Sequence, residues 1–303
     1  MYSQKNNFIR PQKKIKSMRK ILFSMYKKIF NLLRGHKLRL LCPVRIVNDF
    51  IFTLLKPDFA NVQGHKMFLD SKDSLELSVK EVYEQLQTEI VKKEIKKGDI
   101  VLDLGANIGY FTLIFAKLVG ETGKVFAFEP DPGNFSLLEK NVKINNYQNV
   151  TLIQKAVSNK TGKAKLYVWG NPTGPKIYDS PASHQYIEIE SISLDDYFKN
   201  YKGKIDFIKM DIEGAEGGAI QGMTSLLQKN KNIKIISEFW PAGLKEFGGE
   251  PEEHLKLLVG QGFKLYNLNQ QKKKIEPVNI SELLEICPKK EKATNLFLTK
   301  NNK

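Results

Sequence analysis

Two glycines and an acidic residue lie close together in the segment Asp103-Leu104-Gly105-Ala106-Asn107-Ile108-Gly109-Tyr110. An apolar run precedes the segment and helical residues follow it, so a strand, a glycine loop and a helix come in order. Gly105 permits a tight turn, and Gly109 lets the helix start close to the strand. Free amides at the helix start would face a nucleotide-like ligand, either a dinucleotide pyrophosphate or the carboxylate of S-adenosylmethionine. The missing first Gly-x-Gly pair argues against NAD, and a purely structural turn also fits the glycines.

A second acidic residue, Glu129, ends the next predicted strand, 26 residues after Asp103. A carboxylate there can accept hydrogen bonds from both ribose hydroxyls of a nucleoside, and its charge repels the 2′-phosphate of NADP. Alone, Glu129 could be an exposed charge at a strand end; together with Asp103 it indicates a ligand-binding pair. Ala156, at the end of the third predicted strand, could border an adenine ring or belong to the core.

Three carboxylates, Asp211, Glu213 and Glu216, follow a fourth apolar run. The carboxyl end of a strand is where open α/β sheets place ligands and chemistry. Carboxylates beside an apolar strand cost free energy unless they are exposed, paired or used. Glu213 and Glu216 could simply stabilise the start of the next helix through its dipole. For Asp211 we favour a functional role, either holding a ligand ammonium group or orienting the group that reacts.

The chain after Gly98 alternates short β-branched runs with helical patterns, which predicts a parallel, doubly wound α/β sheet. The predicted strands are 100–104, 125–129, 151–157, 206–210 and 233–239. A closing pair at 263–268 and 296–300 is separated by a Lys-rich turn and a helix at 281–287. Residues 158–204 form an insertion with short strands at 165–168 and 186–191, long enough for a lid. Residues 44–97 are expected to hold a short helix, a turn near Gly64 and a helix at about 75–95.

These segments together resemble the FkbM family of methyltransferases. The residues that carry the resemblance are 103–109, Phe128-Glu129-Pro130, the run Ile208-Lys209-Met210-Asp211-Ile212-Glu213-Gly214-Ala215-Glu216, Gly222 and Glu238. The similarity covers about residues 90–300. It implies a Rossmann-like seven-stranded fold, S-adenosylmethionine as methyl donor, and O-methylation of a hydroxyl on a sugar, glycan or natural product.

The resemblance also implies roles for particular residues. The residues expected to bind the donor are Asp103, Gly105, Ala106, Asn107, Gly109, Tyr110, Glu129, Pro130, Ala156 and Asp211. Methyl transfer needs the acceptor oxygen at attack distance and a group that takes its proton, and Asp211, Glu213 or Glu238 could be that base. Two of them could instead bind a divalent cation, which we disfavour because no His or Asn ligand set accompanies them. His184 and His254 are rival bases, although a lone His is more often a surface or packing residue.

Two other functions remain open. A nucleic-acid methyltransferase would share the donor half, but the fourth strand ends in Asp-Ile-Glu-Gly and not in the Asn- or Asp-Pro-Pro-aromatic motif that holds a flipped base. A non-catalytic protein that binds a membrane surface could also keep a relict methyltransferase fold. The intact set of Asp103, Glu129 and Asp211 argues against the relict.

The net charge of +15 belongs almost entirely to residues 1–48, which hold 13 Lys or Arg and no Asp or Glu. We divide the chain into a basic tail with an amphipathic helix (1–43), a lead-in (44–97) and the methyltransferase domain (98–303). Apolar residues of 19–34 recur at helical spacing among basic ones, so this helix could lie on an anionic membrane, on the protein itself or on a polyanion. Two cysteines without CxxC spacing and no long apolar run predict a cytoplasmic protein, which the basic helix could hold peripherally at a membrane.

Overall fold

The computed structural model describes residues 18–19, 21–26, 28–29, 51–52, 54–80, 82–167, 186–287 and 292–300. The chain divides into two compact units, Met1–Glu81 and Val82–Lys303. This division falls inside the segment 44–97 that the sequence suggested as a lead-in. His184, Cys42, most of the Gly- and Pro-rich cluster of the insertion and the basic residues at 30–48 lie outside the described residues. In the described part, no helix has the length and apolar content that crossing a membrane requires.

The N-terminal unit contains a two-stranded antiparallel hairpin, β1 (Phe59–Val62) and β2 (His65–Phe68). Gln63 and Gly64 form its turn with positive φ values of 52° and 83°, as a two-residue turn between twisted strands requires. The predicted turn near Gly64 is therefore present.

The helix predicted from about residue 75 begins only at Gln85, and the described residues before it form turns. Asp73 explains the difference: its carboxylate accepts hydrogen bonds from the backbone amides of Leu77 and Ser78, both at 2.9 Å. Such side-chain bonds offer the backbone an alternative to a helix. The prediction is wrong over the first half of that helix.

The larger unit is an α/β structure. Its described strands are β3 (Ile100–Leu104), β4 (Lys124–Phe128), β5 (Val150–Ile153), β6 (Ala156–Val157), β7 (Gly162–Tyr167), β8 (Tyr186–Ile192), β9 (Phe207–Met210), β10 (Lys234–Phe239), β11 (Phe263–Asn269), β12 (Lys274–Pro277) and β13 (Thr294–Lys300). Its described helices are α1 (Gln85–Glu94), α2 (Tyr110–Val119), α3 (Pro132–Ile144), α4 (Leu194–Tyr197), α5 (Glu216–Gln221), α6 (Thr224–Lys229), α7 (Pro241–Glu246), α8 (Pro251–Gly260) and α9 (Ile280–Ile286).

Eight of these strands form the central sheet, in the order β12-β11-β13-β10-β9-β3-β4-β5. The five strands from β10 to β5 are parallel, and β13, β11 and β12 are antiparallel to their neighbours. The apolar side chains of β3, β4 and β9 are almost all buried, as expected of parallel strands covered on both faces. The predicted doubly wound, mostly parallel sheet is confirmed.

Two details of the sheet differ from the prediction. The sheet has an eighth strand, β12, where the sequence indicated only a Lys-rich turn; β12 is mostly exposed, so it lacks the apolar alternation that reveals a strand. The predicted third strand, 151–157, is two strands. The amide of Lys155 donates to the carbonyl of Ile153 at 3.0 Å, and this tight turn sends β6 away from β5.

The strand β6 enters a second, three-stranded sheet of order β6-β8-β7. Strand β8 runs parallel to β6 and antiparallel to β7. These strands fall within or beside the predicted insertion at 158–204, whose two short strands are therefore present.

Candidate functional site

The glycine loop after β3 lies against the end of β9. Gly105 has φ 79°, and a Cβ atom there would stand 2.0 Å from the backbone oxygen of Asp211, so glycine alone fits. The amide of Asp211 donates to the carbonyl of Leu104 at 3.0 Å. The chain continues from β3 to β4 on one side of the sheet, and β9 later adds on the other side of β3. Such a reversal of strand order is where open α/β sheets bind ligands. The loop and the acidic end of β9 are thus joined by backbone contacts at that point.

The amide groups of this loop donate hydrogen bonds inside the protein. Those of Gly105 and Ala106 both donate to the carbonyl of Phe128 at 3.0 Å, and that of Asn107 donates to Oε2 of Glu129 at 2.7 Å. The next two amides find acceptors within the loop; they belong to Ile108 and Gly109. These hydrogen bonds fix the loop to the end of β4. The expectation that free amides at the start of the following helix, from Tyr110 on, face a ligand stays a prediction.

Glu129, at the end of β4, is buried and held by two backbone amides. Its Oε1 accepts from Asp131 at 2.9 Å and its Oε2 from Asn107. Burial raises the pKa of Glu129 to about 7 although both hydrogen bonds oppose this. Each carboxylate oxygen can accept a second hydrogen bond, so both retain capacity for a pair of hydroxyl groups.

Asp103 lies on β3 beneath the loop and is 1% exposed. Its Oδ2 accepts a hydrogen bond from Oγ1 of Thr112 at 2.5 Å, while its Oδ1 has no partner within the described protein. Burial raises the pKa of Asp103, and the nearby charge of Lys209 lowers it. A buried carboxylate oxygen without a partner is costly, so this atom is suited to a ligand that brings a donor.

Lys209 is the first of two residues whose place in the site was not predicted from the sequence. It lies on β9 in register with Asp103, is 3% exposed, and its Nζ is 3.1 Å from Oδ2 of Asp211 and 4.7 Å from the centre of the Phe111 ring. Burial lowers the pKa of Lys209, but the charges of Asp211, Glu84 and Asp103 raise it above its ordinary value. Its position inside an apolar strand, two residues before Asp211, was the available signal.

Glu84, just before α1, is a second missed residue. Its Oε2 is buried without a hydrogen-bond partner in the described chain. Burial raises the pKa of Glu84 to about 7, the charge of Lys209 opposes the rise, and that of Asp211 adds to it. Nothing in the sequence marks Glu84, because it stands in a polar stretch and reaches the cluster only through the fold.

The ends of β9 and β10 form an acidic edge that consists of Asp211, Glu213, Glu216 and Glu238. Ser237 pairs with Met210, so Glu238 stands beside Asp211 at the carboxyl end of the next parallel strand. The side chain of Asp211 is 29% exposed. Glu213 has φ 58°, a left-handed conformation that is strained for a residue with a side chain.

Two carboxyl groups of this edge hold their protons unusually tightly. Burial, followed by the charges of Asp211, Glu216 and Glu213, raises the pKa of Glu238 well above its ordinary value. Glu216 is fully buried; its Oε1 accepts from the Ile212 amide at 3.0 Å, and burial raises its pKa to about 8. A carboxyl group with a raised pKa is a stronger base once it has ionised, which suits it to accept a proton during a reaction. In the described residues, no cluster of three or more His, Cys, Asp or Glu has the geometry of a metal site.

The other predicted residues lie on several different elements of the larger unit. Tyr110 begins α2, and its hydroxyl group accepts from the Tyr83 amide and bonds Thr88, both at 3.1 Å. Pro130 follows Glu129 and is partly exposed, whereas Ala156 is buried in β6. Gly222 ends α5, where a Cβ atom would stand 2.1 Å from the carbonyl oxygen of Ser158.

His254, a rival base, is buried on α8 and stacks on Phe239 with ring centres 6.4 Å apart. Burial lowers the pKa of His254 to about 4, so it is neutral at pH 7. Its Nδ1 has no hydrogen-bond partner among the described residues. The side chain therefore behaves as a packing residue.

Three relatives of known name share part of the chain. Methyltransferase sdnD of Sordaria araneosa is 23% identical over 221 residues, which cover 62% of this chain and 84% of the relative. Hexuronic acid methyltransferase AglP of Haloferax volcanii is 26% identical over 58% of this chain and 67% of its own. The 2-O-methyltransferase NoeI of Sinorhizobium fredii is 26% identical over 49% of this chain and 67% of its own.

The family description "Methyltransferase FkbM domain" matches residues 103–265, more than half of the chain. The match begins at Asp103 and includes the glycine loop, Glu129, the acidic edge and the start of β11. The chain belongs to the FkbM family of S-adenosylmethionine-dependent methyltransferases.

Proposed function

We propose that this protein transfers a methyl group from S-adenosylmethionine to a hydroxyl group of a sugar, glycan or related natural product. One observation carries the proposal: the glycine loop, expected to bind a nucleoside, lies against the acidic edge, whose carboxyl groups could accept a proton. The name of one relative, a hexuronic acid methyltransferase, supports a sugar-like acceptor, and that of another, a 2-O-methyltransferase, supports transfer to an oxygen atom.

The residues at the loop fit the donor. Glu129 keeps two lone pairs for the ribose hydroxyls while the amides of Asn107 and Asp131 hold it in place. The unpartnered Oδ1 of Asp103 can accept a hydrogen bond from the methionine ammonium group. Ala106 and Tyr110 complete the expected loop contacts, with Pro130 and Ala156 expected nearer the adenine. When bound, the donor supplies an electrophilic methyl group on a sulfonium.

The acidic edge then handles the proton of the acceptor hydroxyl. We assign the ionised carboxylate of Glu238 as the group that accepts it, because Glu238 lies beside Asp211 and burial, which raises its pKa well above the ordinary value, makes that carboxylate a stronger base. Asp211, paired with Lys209 at 3.1 Å, orients the hydroxyl. Glu213, held in its left-handed conformation, borders the same edge.

Donor binding tests the first half of the proposal. Calorimetric titration of S-adenosylmethionine should show binding to the wild-type protein and about 10- to 100-fold weaker binding to Glu129→Ala, from loss of two hydrogen bonds to a charged acceptor. Glu129→Gln should give a smaller loss. Glu139→Ala, an exposed acid on α3, is the matched control and should bind like the wild type. Equal affinity for Glu129→Ala and the control would contradict the donor site.

Methyl transfer tests the second half. Labelled donor is offered with neutral sugars, uronic acids and polyols, and separately with total RNA. We expect label on a hydroxyl acceptor, and Glu238→Gln should slow transfer by about 100-fold or more while donor affinity is unchanged. Transfer by Glu238→Gln at the wild-type rate would remove Glu238 as the proton acceptor, and label on RNA alone would favour the nucleic-acid alternative.

A further inference from the structure

Five apolar side chains of the N-terminal unit lie at the surface of one helical stretch. Met18, Ile21, Leu22, Met25 and Ile29 are 54, 60, 47, 56 and 56% exposed. Their spacing of three and four residues puts them on one side of the helix that residues 18–29 form where they are described. We call this set the N-terminal stripe. Contiguous exposed apolar residues mark a surface that contacts a protein or a membrane.

Another side of the same helix is fixed within the N-terminal unit. Phe23 is buried, and its ring centre lies 5.9 Å from that of Tyr26 and 6.3 Å from that of Phe52. Arg19 donates a hydrogen bond to the carbonyl oxygen of Lys56. The helix is therefore held by its aromatic side, and the N-terminal stripe remains exposed beside it.

The sequence around the stripe is strongly basic. Residues 1–48 hold 13 Lys or Arg and no Asp or Glu, whereas the other 255 residues hold 35 basic and 33 acidic residues. Two copies meeting through the stripe would bring like charges together without the acidic residues that pair helices across a coiled coil. Anionic lipid headgroups supply the negative charge that the segment lacks.

We propose that the N-terminal stripe lies in the headgroup region of an anionic membrane, whose negative charge attracts the strongly basic sequence that surrounds the stripe. An apolar side rich in Met, Ile and Leu next to positive charge is the pattern of a helix that lies in the plane of a membrane surface. Each basic residue near the surface adds about fivefold to partitioning, and salt weakens this attraction. This binding does not depend on the methyl transfer proposed above.

Vesicle sedimentation of the full chain tests the proposal. The protein is mixed with vesicles of phosphatidylcholine alone or with about 30% phosphatidylglycerol, at about 0.1 M and about 0.5 M NaCl. We expect binding to the anionic vesicles that is at least about tenfold stronger than to the neutral ones and that falls at the higher salt concentration. The triple variant Ile21→Ser, Leu22→Ser, Met25→Ser should bind anionic vesicles at least about tenfold more weakly.

A matched control removes three exposed apolar residues of the larger unit: Val259→Ser, Ile275→Ser, Ile286→Ser. It should bind vesicles like the wild type, and circular dichroism should show that both triple variants fold. Equal binding by the stripe variant and the control would overturn the proposal. Equal binding of the wild type to neutral and anionic vesicles would also overturn it. A wild-type protein that binds no vesicles but forms a dimer, which the stripe variant abolishes, would assign the stripe to contact with a second copy.

Discussion

Glu216 offers the sharpest test of the electrostatics described above. It is fully buried, its Oε1 accepts from the amide of Ile212, and its Oε2 has no hydrogen-bond partner in the described chain. Burial raises its pKa to about 8, and the charge of Asp211 contributes to the rise. The folded protein therefore holds Glu216 as a neutral acid at pH 7. Glu216→Gln keeps the size and one acceptor oxygen and removes the titration.

The sign and size of the effect follow from linkage. The pKa of Glu216 is about 8 in the folded protein against a reference of 4.5, so the folded state binds more protons than the unfolded state between these values. The wild-type free energy of unfolding must fall as pH rises through this window, by about 1.4 kcal/mol per pH unit at most. Glu216→Gln lacks this loss. The free energy of unfolding of the variant should therefore exceed that of the wild type by a difference that grows from near zero at about pH 5 toward an upper bound of about 5 kcal/mol at about pH 8.5.

Urea unfolding followed by intrinsic fluorescence measures the difference. Wild type, Glu216→Gln and the control Glu285→Gln, an exposed residue of α9, are compared at about pH 5, 6.5 and 8.5. The control should stay within about 0.5 kcal/mol of the wild type throughout. If the wild type and Glu216→Gln remained parallel over the whole range, Glu216 would not be a buried neutral acid and the reasoning would fail.

Three further substitutions test the glycine loop, the buried lysine and the buried histidine. Gly105→Ala puts a Cβ atom 2.0 Å from the Asp211 oxygen, so we expect at least about tenfold weaker donor binding by calorimetry from the displaced loop; Gly260→Ala, with open space around it, should bind normally. Lys209→Met leaves the buried carboxyl groups around it without their cation and should lower the free energy of urea unfolding by about 3 to 5 kcal/mol. A variant as stable as the wild type would contradict the pairing of Lys209 with these groups. His254→Phe removes a group whose pKa is lowered to about 4 by burial. Because the unfolded state takes up that proton first, the variant should gain stability over the wild type as pH falls from about 6.5 to 4, and a pH-independent difference would refute this.

The sequence predicted the parallel part of the fold well, because its signals are local. The predicted strand 100–104 coincides with β3, and the helix predicted at 281–287 lies one residue from α9. The strand, glycine loop and helix around Gly105 are adjacent in sequence, so their order alone indicates how they pack. The exposed β12 has no apolar pattern, and its pairing with β11 could not be foreseen.

Within the candidate site, the properties that arise from distant contacts were not predictable. Gly105 was expected to permit a tight turn, yet the atom that excludes any side chain there is the backbone oxygen of Asp211, about a hundred residues away in the sequence. Lys209 and Glu84 meet only because β9 and the start of α1 converge. The assignments of Asp103, Glu129 and the acidic residues to ligands stay predictions until the binding experiments are done.

The contact between Gly105 and the carbonyl of Asp211 has a consequence for changing the specificity of this protein. A shift of the backbone at 211 would push directly on the glycine loop. Under the proposed function, substitutions at 210–212 that change the choice of acceptor should therefore also weaken donor binding.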